Sequence, residues 1–314
     1  MKIESFPRKL FLFRNNLCMF AQTQNELHNM KHMSILAVSL LALVACTPEK
    51  KQEADYSQYV NPMIGTDFTG NTYPGAQVPF GMVQLSPDNG LPGWDRISGY
   101  FYPDTTIAGF SHTHLSGTGA GDLYDISFMP VTRPYKEAPA PLGIYSTFSH
   151  NDEAASAGYY RVLLKDYNIN VELTATERCG IQRYTFPEAE ASVFLNLKKA
   201  MNWDFTLDSK IEVVDSTTIR GYRLSQGWSP LQHVYFETRF SKPFVACHMD
   251  TTSIVTKEKG WIGTAYVARF DFNTKNDEEI LVTTGISGVS MEGAGKNLRA
   301  EAPKDDFDYY QAQA

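Results

Sequence analysis

The 314-residue sequence has little cysteine and little positive charge, and each shortage excludes a class of function. Its 4 cysteines form no C-x-x-C pair and have no histidine at zinc-finger spacing, which argues against a thiolate metal site. Lys and Arg number 28 against 35 Asp and Glu, so the net charge is −7, and no basic run is interleaved with aromatic residues. A phosphate backbone is repelled by such a chain on average, so we expect no nucleic-acid partner.

Two of the cysteines, Cys179 and Cys247, stand in apolar, strand-like stretches. In an oxidising compartment they could form a disulfide. A free thiol, however, also packs well in such surroundings as a small hydrophobic group. Connectivity cannot be read from sequence, so both states stay open at this point.

A hydrophobic run long enough to span a membrane is also absent from the amino-terminal region. The apolar run 35–45 is shorter than the roughly 20 residues that a transmembrane helix needs. It follows Met30-Lys-His-Met33 and ends in small residues, which is the pattern of a secretory signal. Leu43-Val-Ala-Cys46 looks like a bacterial lipobox, so we predict that residues 30–45 are a lipoprotein signal peptide and that Cys46 is the lipidated first residue of the mature chain. The alternative is an ordinary cleaved signal with an incidental cysteine.

The segments on either side of this signal have different interpretations. Residues 1–29 make no sense as part of it and are interpreted as a mis-assigned start upstream of Met30. Residues 46–55 are polar and charged, which is typical of a flexible tether. We therefore expect a protein anchored to a membrane through lipid on Cys46, at the outer membrane, the cell surface or in the periplasm.

Sustained helical periodicity is missing before residue 290. Gly and Pro recur every few residues as far as about Gly143, which favours short strands joined by turns. Later segments are rich in β-branched and aromatic residues and alternate in character, as in 261–270. These patterns predict an all-β fold over 56–290, an antiparallel two-sheet β-sandwich. The tail 291–314 has the Ala, Glu and Gln of a helix and is predicted to begin a helical linker.

The residues with most chemical potential lie close together between positions 93 and 122. His112 and His114 stand two residues apart beside glycines, hydroxyls and aromatic rings. On an extended segment both imidazoles would face one side, as in some metal sites, with Asp104 or Asp122 as a third ligand. We prefer a role in which the pair hydrogen-bonds sugar hydroxyls at a pocket rim. The further alternative is two buried histidines bonded to backbone carbonyls.

Trp94-Asp95-Arg96 follows a Leu-Pro-Gly turn, and loops held on a rigid sandwich are where binding residues concentrate. An indole offers a large apolar face to the C–H groups of a sugar ring and one N–H at its edge. We therefore predict that Trp94 is a sugar platform. Asp95 and Arg96 are expected either to pair with each other or to contact ligand. Asn202-Trp203-Asp204 and Trp228 could line a second patch, but core packing is the favoured interpretation.

Several segments occur together, and in this order, in one known family. They are Asn61-Pro-Met-Ile-Gly-Thr66, Asn71-Thr-Tyr-Pro-Gly-Ala76, Pro79-Phe-Gly-Met-Val-Gln-Leu-Ser-Pro-Asp88, Gly93-Trp-Asp-Arg-Ile-Ser-Gly-Tyr100 and the stretch 99–122. From about Tyr59 to its end, the chain resembles the amino-terminal domain of the family 92 glycoside hydrolases, calcium-dependent exo-acting α-mannosidases. The resemblance implies a galactose-mutarotase-like supersandwich. The chain departs from the family pattern at Asp67, Phe68 and Phe101, where the family has glycine, histidine and histidine.

The resemblance also implies how the activity is divided between domains. Inverting hydrolysis needs a carboxylic acid and a carboxylate base about 6.5–9.5 Å apart. In the family both carboxylates and most calcium contacts belong to an (α/α)₆ catalytic barrel, to which residues 291–314 would lead. We therefore expect no catalytic residue and no metal ligand within this chain, and no activity from it alone.

The chain would contribute part of the wall of the substrate pocket. The resemblance implies an α-mannosidase acting on mannose-containing glycans, most specifically α-1,2-linked ones, with Trp94 reaching the site between the two domains. Two alternatives stay open. One is a stand-alone carbohydrate-binding lipoprotein, and the other is a metallohydrolase that uses His112, His114 and an aspartate.

Overall fold

The computed structural model describes residues 55–198, 201–256 and 261–314. Residues 56–314 form one unit by their internal contacts. The predicted upstream extension, signal peptide, lipidated Cys46 and all but the last residue of the tether lie outside the described residues. Within the described ranges, no helix is both long enough and apolar enough to cross a membrane.

The described residues form many short strands and, at the end of the chain, two helices. The strands are β1 (Ser86–Asp88), β2 (Thr106–Ile107), β3 (Gly109–Ser111), β4 (Ser127–Thr132), β5 (Glu137–Ala138), β6 (Gly143–Ile144), β7 (Ser146–Thr147), β8 (Glu153–Ser156), β9 (Tyr159–Leu164), β10 (Ile169–Ala175), β11 (Cys179–Phe186), β12 (Ala189–Asn196), β13 (Phe205–Val213), β14 (Thr218–Gln226), β15 (Gln232–Phe240), β16 (Ala246–Thr256), β17 (Trp261–Thr274) and β18 (Glu278–Ser287). The helices are α1 (Met291–Glu301) and α2 (Phe307–Gln311), and 3₁₀ turns cover Ser57–Tyr59, Trp94–Arg96 and His150–Asp152.

These strands build two large sheets. One has six strands in the order β1-β3-β4-β12-β17-β16, and the other has eight in the order β13-β14-β15-β18-β11-β10-β9-β8. Two small ribbons, β2 with β7 and β5 with β6, lie beside them. The paired strands are antiparallel, as between β12 and β17 or β11 and β18. The predicted all-β, antiparallel sandwich is confirmed.

The core lies where side chains of both sheets meet. Phe128 and Phe270 of the six-stranded sheet belong to the same buried cluster as Val171 and Val282 of the eight-stranded sheet. Strands β10 and β14 alternate between buried and partly exposed positions, as a half-buried strand should. Along β18 the last eight positions are all buried, because a helix covers its outer face.

The covering helix is α1, so the predicted helical character of the tail is confirmed. Ser290 caps α1, since its side chain accepts a hydrogen bond from the Gly293 amide at 3.0 Å. Leu298 of α1 packs against Leu281 on the outer face of β18. A Cβ at Gly285 would lie 2.6 Å from the Ala294 carbonyl oxygen, so glycine permits this close approach. Whether α1 leads to a further domain stays a prediction.

The two cysteines within the described ranges are free thiols. Cys179 is buried in β11 of the eight-stranded sheet, whereas Cys247 lies in β16 of the six-stranded sheet. Burial raises the pKa of the Cys179 thiol to about 12. Of the two states that the sequence left open, the structure has the thiols unpaired.

Candidate functional site

Trp94 opens the short 3₁₀ turn Trp94–Arg96 and is 58% exposed. Its ring centroid lies 6.5 Å from that of Trp203, with 31° between the two ring planes. The benzene edge of the indole lies over Gly119, where an added Cβ would come within 3.3 Å of it. The structure therefore presents Trp94 at the surface, next to a second tryptophan that is 41% exposed rather than packed in the core. The core-packing interpretation of Trp203 is wrong.

The Trp94 turn is held in place by one amide side chain. Asn202 Oδ1 accepts a hydrogen bond from the Gly93 amide at 3.0 Å, just before the turn. Its Nδ2 group lies 3.3 Å from the Arg96 carbonyl oxygen and 3.2 Å from the Tyr124 hydroxyl. Both ends of the turn are thus bonded to Asn202, which is 109 residues from Gly93 and 106 from Arg96 in sequence. Sequence reasoning gave Asn202 no such role, because the contact depends on the tertiary fold.

Arg96 forms an ion pair with Asp104 and not with Asp95. Its guanidinium forms a two-pronged ion pair with Asp104, with Nε 2.6 Å from Oδ2, and lies 4.6 Å from the centroid of the Phe101 ring. The hydrogen bond with Asp104 raises the pKa of Arg96, and Asp95 adds only a smaller attraction. The predicted Asp95–Arg96 ion pair is therefore wrong, and Asp104 is occupied as a salt-bridge acceptor. Ligand contacts by Asp95 or Arg96 stay a prediction.

His112 is fully buried beneath the sandwich surface. Its Nδ1 lies 2.7 Å from the Ile126 carbonyl oxygen, and its ring meets Phe128 edge-on. Nε2 has no hydrogen-bond partner and packs against Gly180, where an added Cβ would lie 2.7 Å away. Burial lowers the pKa of His112 to about 4, so the imidazole is neutral at physiological pH and donates through Nδ1.

His114 is buried as well, with 3% of its surface exposed. Nδ1 lies 2.7 Å from the Gln84 carbonyl oxygen, and Nε2 lies 2.9 Å from Asp88 Oδ1 and 3.1 Å from Ser111 Oγ. Both histidines thus tie strand ends together, which is the alternative of buried, backbone-bonded imidazoles. The prediction that the pair is partly exposed at a pocket rim is wrong, because the protein supplies these hydrogen-bond partners itself. Contact of either imidazole with a sugar stays a prediction.

Neither candidate for a third metal ligand is placed for that role. Asp122 accepts hydrogen bonds from the Trp228 and Ser229 amides at 2.9 and 3.1 Å. Asp104 pairs with Arg96. In the part of the chain that the structure describes, no group of three or more His, Cys, Asp or Glu side chains is arranged to hold a metal ion. The described residues therefore offer no cluster of carboxylates for calcium, and we derive no step through calcium.

A buried ion network lies behind the exposed tryptophans. The Arg223 guanidinium is 2.6 Å from Asp125 Oδ1 and 2.7 Å from Asp204 Oδ2, and all three side chains are fully buried. Burial raises the pKa of Asp204 to about 6. Sequence reasoning missed this network. One signal could have found it, because strand alternation places Arg223 on the same face of β14 as the buried Ile219.

The network supports the two segments that carry the site. Asp204 follows Asn202 and Trp203 in sequence, and Asp125 follows Tyr124, whose hydroxyl meets the Asn202 amide. Thr113, between the two histidines, donates from its hydroxyl to Asp125 at 2.8 Å. The exposed aromatic surface is therefore mounted on segments fixed by buried charges and hydrogen bonds.

The site therefore consists of a two-sheet β-sandwich that carries exposed tryptophans on loops held by hydrogen bonds. Residues 59–287 match the family model described as Glycosyl hydrolase family 92 N-terminal domain. The chain belongs to that family, and the resemblance noted from the sequence is confirmed.

Solved structures agree with this assignment. A family 92 α-mannosidase of Bacteroides thetaiotaomicron, solved in complex with mannoimidazole, is 37% identical, with a TM-score of 0.74 over 82% of this chain and 35% of its own. An inverting family 92 mannosidase of Bacteroides thetaiotaomicron VPI-5482 is 25% identical, with a TM-score of 0.68 over 84% of this chain and 35% of its own.

A curated relative matches a smaller part of the chain. An uncharacterized secreted glycosidase of Arthroderma benhamiae is 26% identical over 172 residues, which is 52% of this chain and 21% of that protein. The chain thus spans about 35% of the length of the solved relatives and 21% of the curated one.

Proposed function

We propose that this chain is the amino-terminal domain of an α-mannosidase that acts on mannose-containing glycans, with α-1,2-linked ones as the finer proposal, and that it supplies part of the substrate-pocket wall. The observation that carries the proposal is Trp94, exposed on a turn that Asn202 holds at both ends. Membership of the family supports it, and the solved relatives are an α-mannosidase and an inverting mannosidase.

The proposed role of Trp94 is to hold a sugar ring, not to move a proton. An indole face fixed in position contributes apolar contact at a low conformational cost, because its orientation is set before the ligand arrives. The acid and base of hydrolysis, and the calcium of the family, are assigned to a separate helical catalytic domain. The buried imidazoles of His112 and His114 keep the loops around the platform in place.

We further propose that the protein is exported and anchored by lipid on Cys46, facing glycans outside the cytoplasm. The Leu43-Val-Ala-Cys46 pattern supports this, and a curated relative is a secreted glycosidase. An extracellular or surface location suits an enzyme whose substrates are large glycans that do not cross a membrane.

The test compares the purified chain with the same chain joined to a family 92 helical catalytic domain, using α-1,2-mannobiose as substrate. We expect no hydrolysis by the chain alone and hydrolysis by the joined protein, since the proposed acid and base lie in the helical domain. Hydrolysis by the chain alone, lost in His114→Ala, would contradict the proposal and favour the metallohydrolase alternative.

A further inference from the structure

A second surface with an exposed tryptophan lies across a glycine-rich loop from Trp94. It is a groove of about 670 Å³, within the size range of small-molecule sites. Two loops line it with Leu115, Thr118, Gly119, Ala120, Asp122, Leu123, Trp228, Ser229 and Gln232. Trp228 is 84% exposed there, so the core-packing interpretation of this residue is wrong.

The groove wall is built on a buried carboxylate. Asp122 is 3% exposed and accepts hydrogen bonds from the Trp228 amide at 2.9 Å, the Ser229 amide at 3.1 Å and Gln232 Nε2 at 2.9 Å. These bonds fix the backbone on which the Trp228 indole stands. The indole belongs to a groove whose lining is mostly apolar, and such apolar grooves are typical of binding sites.

Gln232 supplies the second observation that points to a ligand. Its Nε2 group donates a hydrogen bond to Asp122, and this bond sets the orientation of the amide. Its Oε1 atom is shielded from solvent and has no hydrogen-bond partner. A buried acceptor without a donor is costly, and because Gln232 lines the groove, a hydroxyl group there would reach Oε1 after a shift of this side chain.

The charge of the lining selects a neutral ligand. Asp122 is the one ionisable side chain among the lining residues, and both of its oxygens already accept hydrogen bonds. An anionic ligand would therefore find no counter-charge in the wall, and a cationic ligand would meet only a carboxylate that is buried and already hydrogen-bonded. A neutral sugar ring suits these residues, because its apolar C–H face can stack on the Trp228 indole and its hydroxyl groups can donate hydrogen bonds to Gln232.

The groove shares one residue with the surroundings of Trp94. Gly119, which lines the groove, also lies under the benzene edge of Trp94. One glycan could therefore contact Trp94 with one ring and reach Trp228 with another across the 117–121 loop.

We propose that the Trp228 groove is a distal subsite for a neutral sugar ring of the glycan whose other end meets Trp94. The proposal rests on the proposed function for Trp94 as the nearer platform. It predicts that the chain distinguishes glycans by length, because only a longer one can contact both tryptophans.

The test measures dissociation constants of the full chain for α-1,2-mannobiose and α-1,2-mannotetraose by NMR titration. We expect the wild type to bind the tetraose about tenfold more tightly than the biose. Trp228→Ala should bind both with the affinity of the biose, and Trp228→Tyr should keep most of the difference, since it retains an aromatic face. Tyr309→Ala, which removes an exposed ring on α2, serves as the matched control and should change neither constant.

Equal affinities for the two sugars in the wild type, or a length preference that survives Trp228→Ala, would overturn the proposal. No measurable binding of the tetraose by the wild type would also overturn it. The separate variant Trp94→Ala should weaken both sugars. If it weakens neither while the Trp228 effect persists, the role of Trp94 fails and the distal subsite stands.

Discussion

The Asn202 clamp makes a quantitative prediction about the Trp94 turn. Asn202→Ala removes hydrogen bonds to the Gly93 amide at 3.0 Å, the Arg96 carbonyl at 3.3 Å and the Tyr124 hydroxyl at 3.2 Å. A typical bond of this kind contributes about 1 kcal/mol net, and the two longer ones contribute less, so we expect a loss of about 2 kcal/mol for the turn. That is about a 30-fold increase in its local opening, because about 1.4 kcal/mol corresponds to tenfold.

The assay is native-state amide hydrogen exchange, read at Arg96. Its amide donates to the Gly93 carbonyl at 3.0 Å and so closes the turn, yet it does not touch Asn202 itself. Exchange at this amide should accelerate about 30-fold in Asn202→Ala. Asn202→Asp keeps the acceptor for Gly93 and should give an intermediate rate, whereas Asn276→Ala, an exposed turn position, should have no effect. Acceleration of less than threefold in Asn202→Ala would refute the clamp.

Three further predictions concern charge and anchoring. Arg223→Met leaves two fully buried carboxylates without their cation and should lower the free energy of unfolding by about 3–5 kcal/mol in urea titration; a loss under about 1 kcal/mol would contradict it. The pKa of His112 is lowered from 6.5 to about 4, so its contribution to stability is present above pH 6.5 and is lost as the pH falls towards 4. The pKa of Asp204 is raised from 3.8 to about 6, so its contribution to stability is present below pH 3.8 and is lost as the pH rises towards 6. As the pH is lowered from 6 to 4, the melting temperature of Asp204→Asn should therefore fall more than that of the wild type, and the melting temperature of His112→Gln should fall less. The opposite order would refute the assignment. Cells labelled with a fatty-acid analogue should lose label from the protein in Cys46→Ala, and equal labelling would exclude the anchor.

The architecture was predictable because it depends on local patterns. In β17 the predicted alternation places Ala268 and Phe270 in the core and Tyr266 partly buried against it, as expected for a strand with one face on the core. The helical composition after residue 290 likewise matches α1. Motif order identified the family, which local patterns alone do not.

The site was less predictable because it depends on contacts between distant segments. The buried state of His112 follows from the Ile126 carbonyl and from Gly180 on another strand, neither of which the His-x-His spacing reveals. The exposure of Trp228 follows from its attachment to Asp122, 106 residues away. Hydrophobicity alone assigns a tryptophan to the core, and it carries no information about such attachments.

The central claim is that Trp94 forms part of the substrate-pocket wall of an α-mannosidase. The most direct test is kcat/KM for α-1,2-mannobiose in the chain joined to a family 92 helical catalytic domain, with and without Trp94→Ala. A stacking contact held in the transition state contributes on the order of 1–3 kcal/mol by analogy with aromatic pairs, so kcat/KM should fall about tenfold or more. An unchanged kcat/KM would contradict the claim and leave Trp94 without a part in the pocket.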